Sequence, residues 1–409
     1  MTPCYDVIIV GGGASGLAAA VFCARFSKKT ILVLERSPRV GKKLLATGNG
    51  TCNISNRHSN PSHYHGENAA KFTSFALSQF SPSACAEFFD SLGVLCADEE
   101  NGRTYPLCRQ AAAVLDCLRL ELQKRGVTEQ CDTTVTALTP HNQGWKVSTN
   151  NGEYIGKQIL LCTGGAAAPS LGGSAESYAL AMALGHQKTP LFPSVVQVKT
   201  ETEWVRAVKG LRTDATVTFA LDGKSLCSHT DELLFTEYGI SGPAVMQISR
   251  VVGDWERKKK GKMTAVIDLL PTFSKEQTAT IVASRGDRLG EDFFTGVLHK
   301  RIGQTVCRAA GFSLSQNMAR LTAEQQKSLV NTVKHFTLNV TGTQGFGGAQ
   351  VTAGGISTLQ INPHTMESCL AKGVYLLGEL PDVDGDCGGY NLHWAWASAY
   401  AAAKAVCKA

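Results

Sequence analysis

The chain has 409 residues, 43% of them hydrophobic and 18% charged, which excludes a disordered chain and exceeds what one core usually spans. The 40 Lys and Arg against 34 Asp and Glu leave a net charge of +6, too mild over this length to argue for a nucleic-acid partner. No basic, apolar leader precedes Tyr5, no uncharged stretch is long enough to span a membrane, and the 14 cysteines include no CxxC pair, so a reducing, cytoplasmic compartment is expected.

The run Tyr5-Asp6-Val7-Ile8-Ile9-Val10, apolar from Val7 onward, enters Gly11-Gly12-Gly13-Ala14-Ser15-Gly16 directly, and a second run, Ile31-Leu32-Val33-Leu34, ends at Glu35, 19 residues past Gly16. Strand, glycine turn, helix, strand and acid come in the order a dinucleotide-binding unit requires. Gly11 makes the tight turn, Gly13 leaves room for a pyrophosphate, and Gly16 lets the helix pack on the strand. The helix N-terminus offers N–H groups to phosphate. Glu35 suits the two hydroxyls of an adenosine ribose and disfavours a 2′-phosphate.

Residues 41–53 are rich in Gly and Asn and predict a loop of specified shape. Helices are predicted over 69–77, 83–92 and 111–123, and a small meander of strands over 133–138, 144–149 and 153–156. The run 158–162, apolar after Gln158 and ending in Thr163-Gly164-Gly165, fits a parallel strand buried on both faces. From about Pro190 the pattern alternates, predicting strands over 195–198, 215–221, 233–235 and 263–270, then helices over 275–285, 292–298 and 323–336. The basic run Arg257-Lys258-Lys259-Lys260 fits a solvated turn, since no aromatics interleave with it. Residues 374–377 form a short buried strand ending at Gly378-Glu379, and 392–406 an alanine-rich helix. The expected organisation is a discontinuous nucleotide domain, 1–189 with 337–409, an inserted β domain, 190–272, and a helical domain, 273–336.

Ligands of an α/β sheet lie beyond the carboxyl ends of its strands. Three strands here end in glycine turns, at Gly11, Thr163-Gly164 and Gly378-Glu379, and only a long dinucleotide such as FAD needs all three. The N-terminus of the last helix, at Gly389-Tyr390-Asn391-Leu392, would set a positive partial charge beside the pyrimidine edge of a flavin.

The blocks Gly41-Lys42-Lys43-Leu44-Leu45-Ala46-Thr47-Gly48-Asn49-Gly50, Leu234 to Pro243, Val351 to Gly355 and Gly378 to Trp396 are similar to those of the BaiN/RdsA, or aminoacetone-oxidase-like, family of NAD(P)/FAD-dependent oxidoreductases. The resemblance implies an α/β fold: a Rossmann-like FAD-binding domain of glutathione-reductase type, with an inserted β-barrel and a small helical domain. It implies that Gly11, Gly13, Ala14, Ser15 and Gly16 hold the pyrophosphate, Glu35 the ribose, and Arg36 and Val135 the adenine. It sets Lys43, Thr47, Gly48 and Asn49 near the flavin, Thr163 and Gly164 along the middle of the cofactor, and Gly378, Glu379 and Asp384 at ribityl or phosphate groups. Gly389, Tyr390, Asn391 and Leu392 then meet the pyrimidine edge. The chain departs from the family at Thr51, where Arg is usual, and at Ala166-Ala167-Ala168, where a lysine and a tyrosine are usual.

His393, beside the flavin loop, and Tyr238, in the insertion, are the candidate catalytic residues. Each competes with a plainer reading, a packed histidine and a tyrosine fixing a turn. Cys52 and Cys387 lie in expected cofactor loops, as a redox pair or as two buried thiols. No metal-ligand cluster or nucleophile elbow appears, so no metal is expected. The expected activity is an FAD-dependent oxidoreductase acting on a small molecule, drawing on NAD(P)H as a transient donor to reduce activated C=C bonds. The alternatives are an oxygen-using amine or aminoketone oxidase and an RNA-associated flavoprotein.

Overall fold

The computed structural model describes residues 2–408, which divide into two units: one runs to Leu191 and resumes at Val351, the other is Phe192–Gln350.

The first unit is built on a seven-stranded sheet. Thr128–Gln130, Ile31–Leu34, Cys4–Val10 and Gly152–Leu161 lie side by side in parallel, and Val374–Leu376 also pairs in parallel with the last of these. Gly144–Thr149 and Val135–His141 continue the sheet antiparallel. The expected meander strand 153–156 and the buried strand 158–162 are therefore one strand. Its first half pairs with the meander and its second half with the parallel core, without interruption at Gly156. Ile8, Ile9, Leu32, Val33, Leu160 and Leu161 are fully buried, as strands covered on both faces require. Burial of each such side chain stabilises the fold by about 1.5–3 kcal/mol. The first helix, Ala14–Phe26, and the C-terminal helix, Tyr390–Lys408, cover the core with alanine-rich faces, and the Tyr400 ring packs on Phe22 and Phe26. The helices expected in the first third are found at Ala69–Gln79, Pro82–Asp90 and Ala111–Lys124.

The second unit holds a closed six-stranded barrel in the order Val198–Thr200, Gly239–Ser241, Lys224–Phe235, Arg212–Leu221, Met263–Asp268 and Phe336–Thr343. Inward residues alternate as a barrel demands: Ala215, Val217 and Phe219 on one strand, Met263, Ala265 and Ile267 on another, and Phe336, Leu338 and Val340 on the last. Strand Phe336–Thr343 closes the barrel, so the return to the first unit comes at Val351 rather than at 337. Helices Lys275–Ala283, Lys300–Ala309 and Ala323–Lys334 share the barrel's core through Val282, Ile302, Val306, Leu329 and Val333. The helix expected over 292–298 is a single turn, Gly290–Asp292. Gly296, at φ +84°, breaks the chain, and the helix begins only after His299, whose side chain caps it. The strand expected over 195–198 starts at Val198, because Val195 is left-handed at φ +49°. Half of the basic run is helical: Arg257 and Lys258 end helix Arg250–Lys258, and both pair with Asp254, at 2.7 and 2.5 Å.

Candidate cofactor and active site

A crevice of about 370 Å³ opens at the carboxyl ends of the parallel strands of the first unit. Gly11, Gly12 and Gly13, Glu35 and Arg36, Lys43, Val135, Thr163 and Gly164, and Glu379 all line it. The three strand-to-glycine turns do converge on one crevice.

The first turn is built for close approach. A Cβ on Gly16 would lie 1.9 Å from the Gly11 carbonyl oxygen, and one on Gly11 would lie 2.4 Å from that of Cys162, so helix and strands touch through backbone. A Cβ on Gly13 meets nothing within 4 Å: its space belongs to the crevice, not to the protein. Helix Ala14–Phe26, which begins just behind Gly13, has neither a side-chain cap nor an acid in its first turn, so no side chain of its own satisfies its leading N–H groups. Glu35 is fixed by its own loop, Oε2 accepting from Gly12 N–H and Oε1 from Ser37 N–H, each at 2.8 Å. A carboxylate has about four lone-pair positions, so two remain for ribose hydroxyls. Arg36 donates to the Gly172 carbonyl and closes the edge of the crevice. Bare glycine, uncapped helix and anchored acid fit the pyrophosphate and ribose of FAD.

At the other end Glu379 bridges three segments. Its Oε2 pairs with Lys43 Nζ at 2.7 Å, and its Oε1 accepts from Thr352 N–H at 2.8 Å. The loop before Thr51 takes its specified shape at Gly48 and Asn49, both left-handed, and the Thr47 hydroxyl donates to the Leu44 carbonyl. Thr51, one departure from the family, donates its hydroxyl to the Gly48 carbonyl. At the other departure Ala166 and Ala167 are buried, and Ala167 N–H donates to the Thr352 hydroxyl at 2.9 Å. Thr47, Gly48 and Asn49 are not in the crevice lining, nor are Gly378 and Gly389 to Leu392. Ala14, Ser15 and Gly16 lie behind its first turn, where a Cβ on Gly378 would meet the Ser15 hydroxyl. Asp384 is fully buried in a two-residue strand paired with Tyr64–His65, away from the lining, which corrects its expected place beside the ribityl chain.

His393 is corrected as well. It has no exposed surface, its Nδ1 lies 2.9 Å from the Ser55 hydroxyl, and it packs on Phe80. Burial pulls its pKa down to about 4, so it is a neutral core residue at pH 7 rather than a proton shuttle. Cys52 is buried, and burial pushes its thiol up to about 12, so it is a protonated thiol at pH 7. Tyr238 lies in the turn between barrel strands Lys224–Phe235 and Gly239–Ser241, its carbonyl accepting from Thr200 N–H at 3.0 Å; the side chain is half-buried.

Sequence reasoning missed one cluster. Asp386 accepts from His65 Nε2 at 2.7 Å and lies 3.0 Å from His63 Nδ1, while the His63 ring stacks on Tyr390, the first residue of the C-terminal helix. Burial raises the Asp386 carboxyl, but its hydrogen bonds to His65 and His63 outweigh burial and hold it below the usual carboxylate range. Asn391 braces the same loop, accepting from Gly385 N–H and donating to its carbonyl, both at 2.8 Å. Two histidines one residue apart are the only sequence signal, and their carboxylate is more than 300 positions away.

Fold and crevice define a Rossmann-type flavoprotein. The family model described as HI0933-like protein Rossmann domain matches residues 5–405, and the chain belongs to that family. Among curated proteins it is 37% identical to a 3-dehydro-bile acid delta(4,6)-reductase of Clostridium scindens, covering 97% of this chain and 98% of the relative. It is 30% identical to a ribosomal RNA dihydrouridine synthase of Haemophilus influenzae, covering 99% of each. Among solved structures, the fold is similar to 3-ketosteroid delta1-dehydrogenase from Sterolibacterium denitrificans, with a TM-score of 0.51 at 12% identity over the whole of both chains. The protein is an FAD-dependent oxidoreductase. Among the described residues no helix is long and apolar enough to cross a membrane.

Proposed function

We propose that this protein reduces an activated carbon–carbon double bond in a steroid-like small molecule, with NAD(P)H as the electron donor. The carrying observation is the 37% identity, end to end, with a curated delta(4,6)-reductase. In this reading Gly11 to Gly16 hold the pyrophosphate, Glu35, Arg36 and Val135 the AMP half, and Thr163, Gly164 and Glu379 the middle of the cofactor. Lys43, Thr47, Gly48 and Asn49 flank its reactive end, and Gly389 to Leu392 its pyrimidine edge. FAD, when bound, supplies the hydride chemistry. The chain supplies placement: the uncapped helix neutralises the phosphates, Glu35 orients the ribose, and the Lys43–Glu379 pair fixes the floor between two loops. The barrel unit, with Tyr238, is the substrate-recognising part.

The test is anaerobic stopped-flow reduction of the bound flavin by NADH and NADPH, followed by addition of a 3-oxo-Δ4 steroid. Flavin bleaching by a nicotinamide and recolouring by the steroid supports the proposal. Hydrogen peroxide release from aminoacetone without nicotinamide would replace it with the oxidase reading.

A second reading, reduction of an RNA base, is favoured by the two dihydrouridine synthase relatives, at 30% and 28% identity. A delta-reductase and a dihydrouridine synthase both name products with fewer carbon–carbon double bonds. Pairing of Arg257 and Lys258 with Asp254 leaves less of the basic run for phosphate. Salt-sensitive retention of a ribosomal RNA fragment separates the two readings.

A further inference from the structure

The mechanism leaves one reactive group unused, at the far end of the two alanine-rich helices. Tyr400 and Cys407 lie two turns apart on one face of the C-terminal helix, and that face packs on the segment Phe22–Phe26 of the first helix. Cys407 Sγ lies 3.7 Å from the Cys23 carbonyl oxygen and 3.5 Å from the Ser27 hydroxyl, and the Cys23 and Cys407 thiols hydrogen-bond to each other. Small residues along both helices let the backbones approach, which is what a bridge between two helices needs. Cys23 is fully buried, while Cys407 is only half-buried, so one thiol of the pair is within reach of a small oxidant.

We infer that Cys407 is a redox-modification site with Cys23 as its resolving partner, and that hydrogen peroxide converts the pair into a disulfide joining the first and last helices. The hydrogen bond from Cys23, together with Ser27 and the nearby Lys29, pulls the Cys407 thiol below its usual range, which raises its share of reactive thiolate at pH 7. That thiolate attacks peroxide: the O–O bond breaks, one oxygen stays on Cys407 as sulfenic acid, and the departing hydroxide takes a proton to become water. Cys23 sulfur then attacks Cys407 sulfur. The S–O bond breaks, the Cys23 proton leaves with the hydroxide as a second water, and two thiols have been oxidised by one peroxide. The bridge ties together helices whose opposite ends carry Gly13–Ser15 and Tyr390–Asn391.

The full chain with its flavin is exposed to hydrogen peroxide at pH 7, blocked with an alkylating reagent and digested for mass spectrometry. A Cys23–Cys407 linked peptide, formed about tenfold faster than free cysteine oxidises and lost on treatment with dithiothreitol, is expected. Cys23→Ala, a change suited to an alanine-rich interface, removes an activating hydrogen bond as well as the resolving thiol, so Cys407 should oxidise more slowly and stop at a sulfenic acid that dimedone traps, and Cys407→Ser should give neither product. The inference is overturned if Cys407 in the unaltered chain reaches sulfinic acid without the cross-link. It is also overturned if the exposed Cys4, Cys108 and Cys369 are oxidised first. Neither result depends on which substrate the flavin serves.

Discussion

Replacing Gly13 by alanine separates what the crevice does for the protein from what it does for the cofactor. Gly13 has φ −81° and ψ −168°, a conformation open to alanine, and the added methyl meets no protein atom within 4 Å. The protein therefore loses only the preference for glycine over alanine at a helix N-cap, about 0.5–1 kcal/mol. That corresponds to a fall of roughly 1–4 °C in the melting temperature of the apoprotein. The methyl does occupy the space the pyrophosphate needs. Crowding of this kind costs about 1–3 kcal/mol, which weakens FAD binding roughly 5- to 150-fold at 1.4 kcal/mol per factor of ten. The assay is titration of apoprotein with FAD, followed by flavin fluorescence quenching, beside thermal unfolding of the same samples. Unchanged FAD affinity, or an apoprotein that no longer folds, would refute the assignment of this space to the cofactor.

Other substitutions probe the neighbouring contacts. Gly16→Ala places its methyl against the Gly11 carbonyl at 1.9 Å, so it should destabilise even the apoprotein by about 1–3 kcal/mol, read by urea unfolding. His393 is held near 4, below its value in an unfolded chain, so its contribution is complete above about pH 6.5 and disappears as the pH falls towards 4. The unaltered protein should lose up to about 3 kcal/mol over that window through this group. His393→Gln should show a flatter pH dependence of melting temperature and an unchanged pH profile of turnover. Asp386→Ala removes the shared acceptor of His63 and His65 and should cost about 1–3 kcal/mol. Hydrogen exchange should then rise in Tyr64–His65 and Asp384–Gly385 and not in the parallel sheet.

What was legible in the sequence was whatever local pattern determines. The run 5–16 declares a strand, a turn and a helix within a dozen residues, and Gly11, Gly12 and Gly16 each have a steric reason found in the structure, while Gly13 borders only open space. Barrel closure had no such signature. Val198–Thr200 and Phe336–Thr343 are joined by hydrogen bonds across more than a hundred positions, and nothing in either segment names its partner. The same holds for Asp386, which meets His63 and His65 only because two-residue strands pair across the fold. His393 misled for a different reason. Its position beside the glycine loop matched a catalytic residue, but helical periodicity turns it to the inner face, among Ser55 and Phe80.

Glu35 shows why sequence motif and physical role must be kept apart at this site. The motif assigns the acid to the ribose, yet in the protein both of its oxygens already hold backbone N–H groups, those of Gly12 and Ser37. Removing the carboxylate would leave two donors unsatisfied in a half-buried turn, at about 1–3 kcal/mol each where burial is complete. Loss of FAD after such a change would report a collapsed loop as readily as a lost ribose contact. Gly13 carries no protein contact at the position its side chain would fill. A methyl there changes what the ligand meets and little else, so its effect on binding belongs to the cofactor.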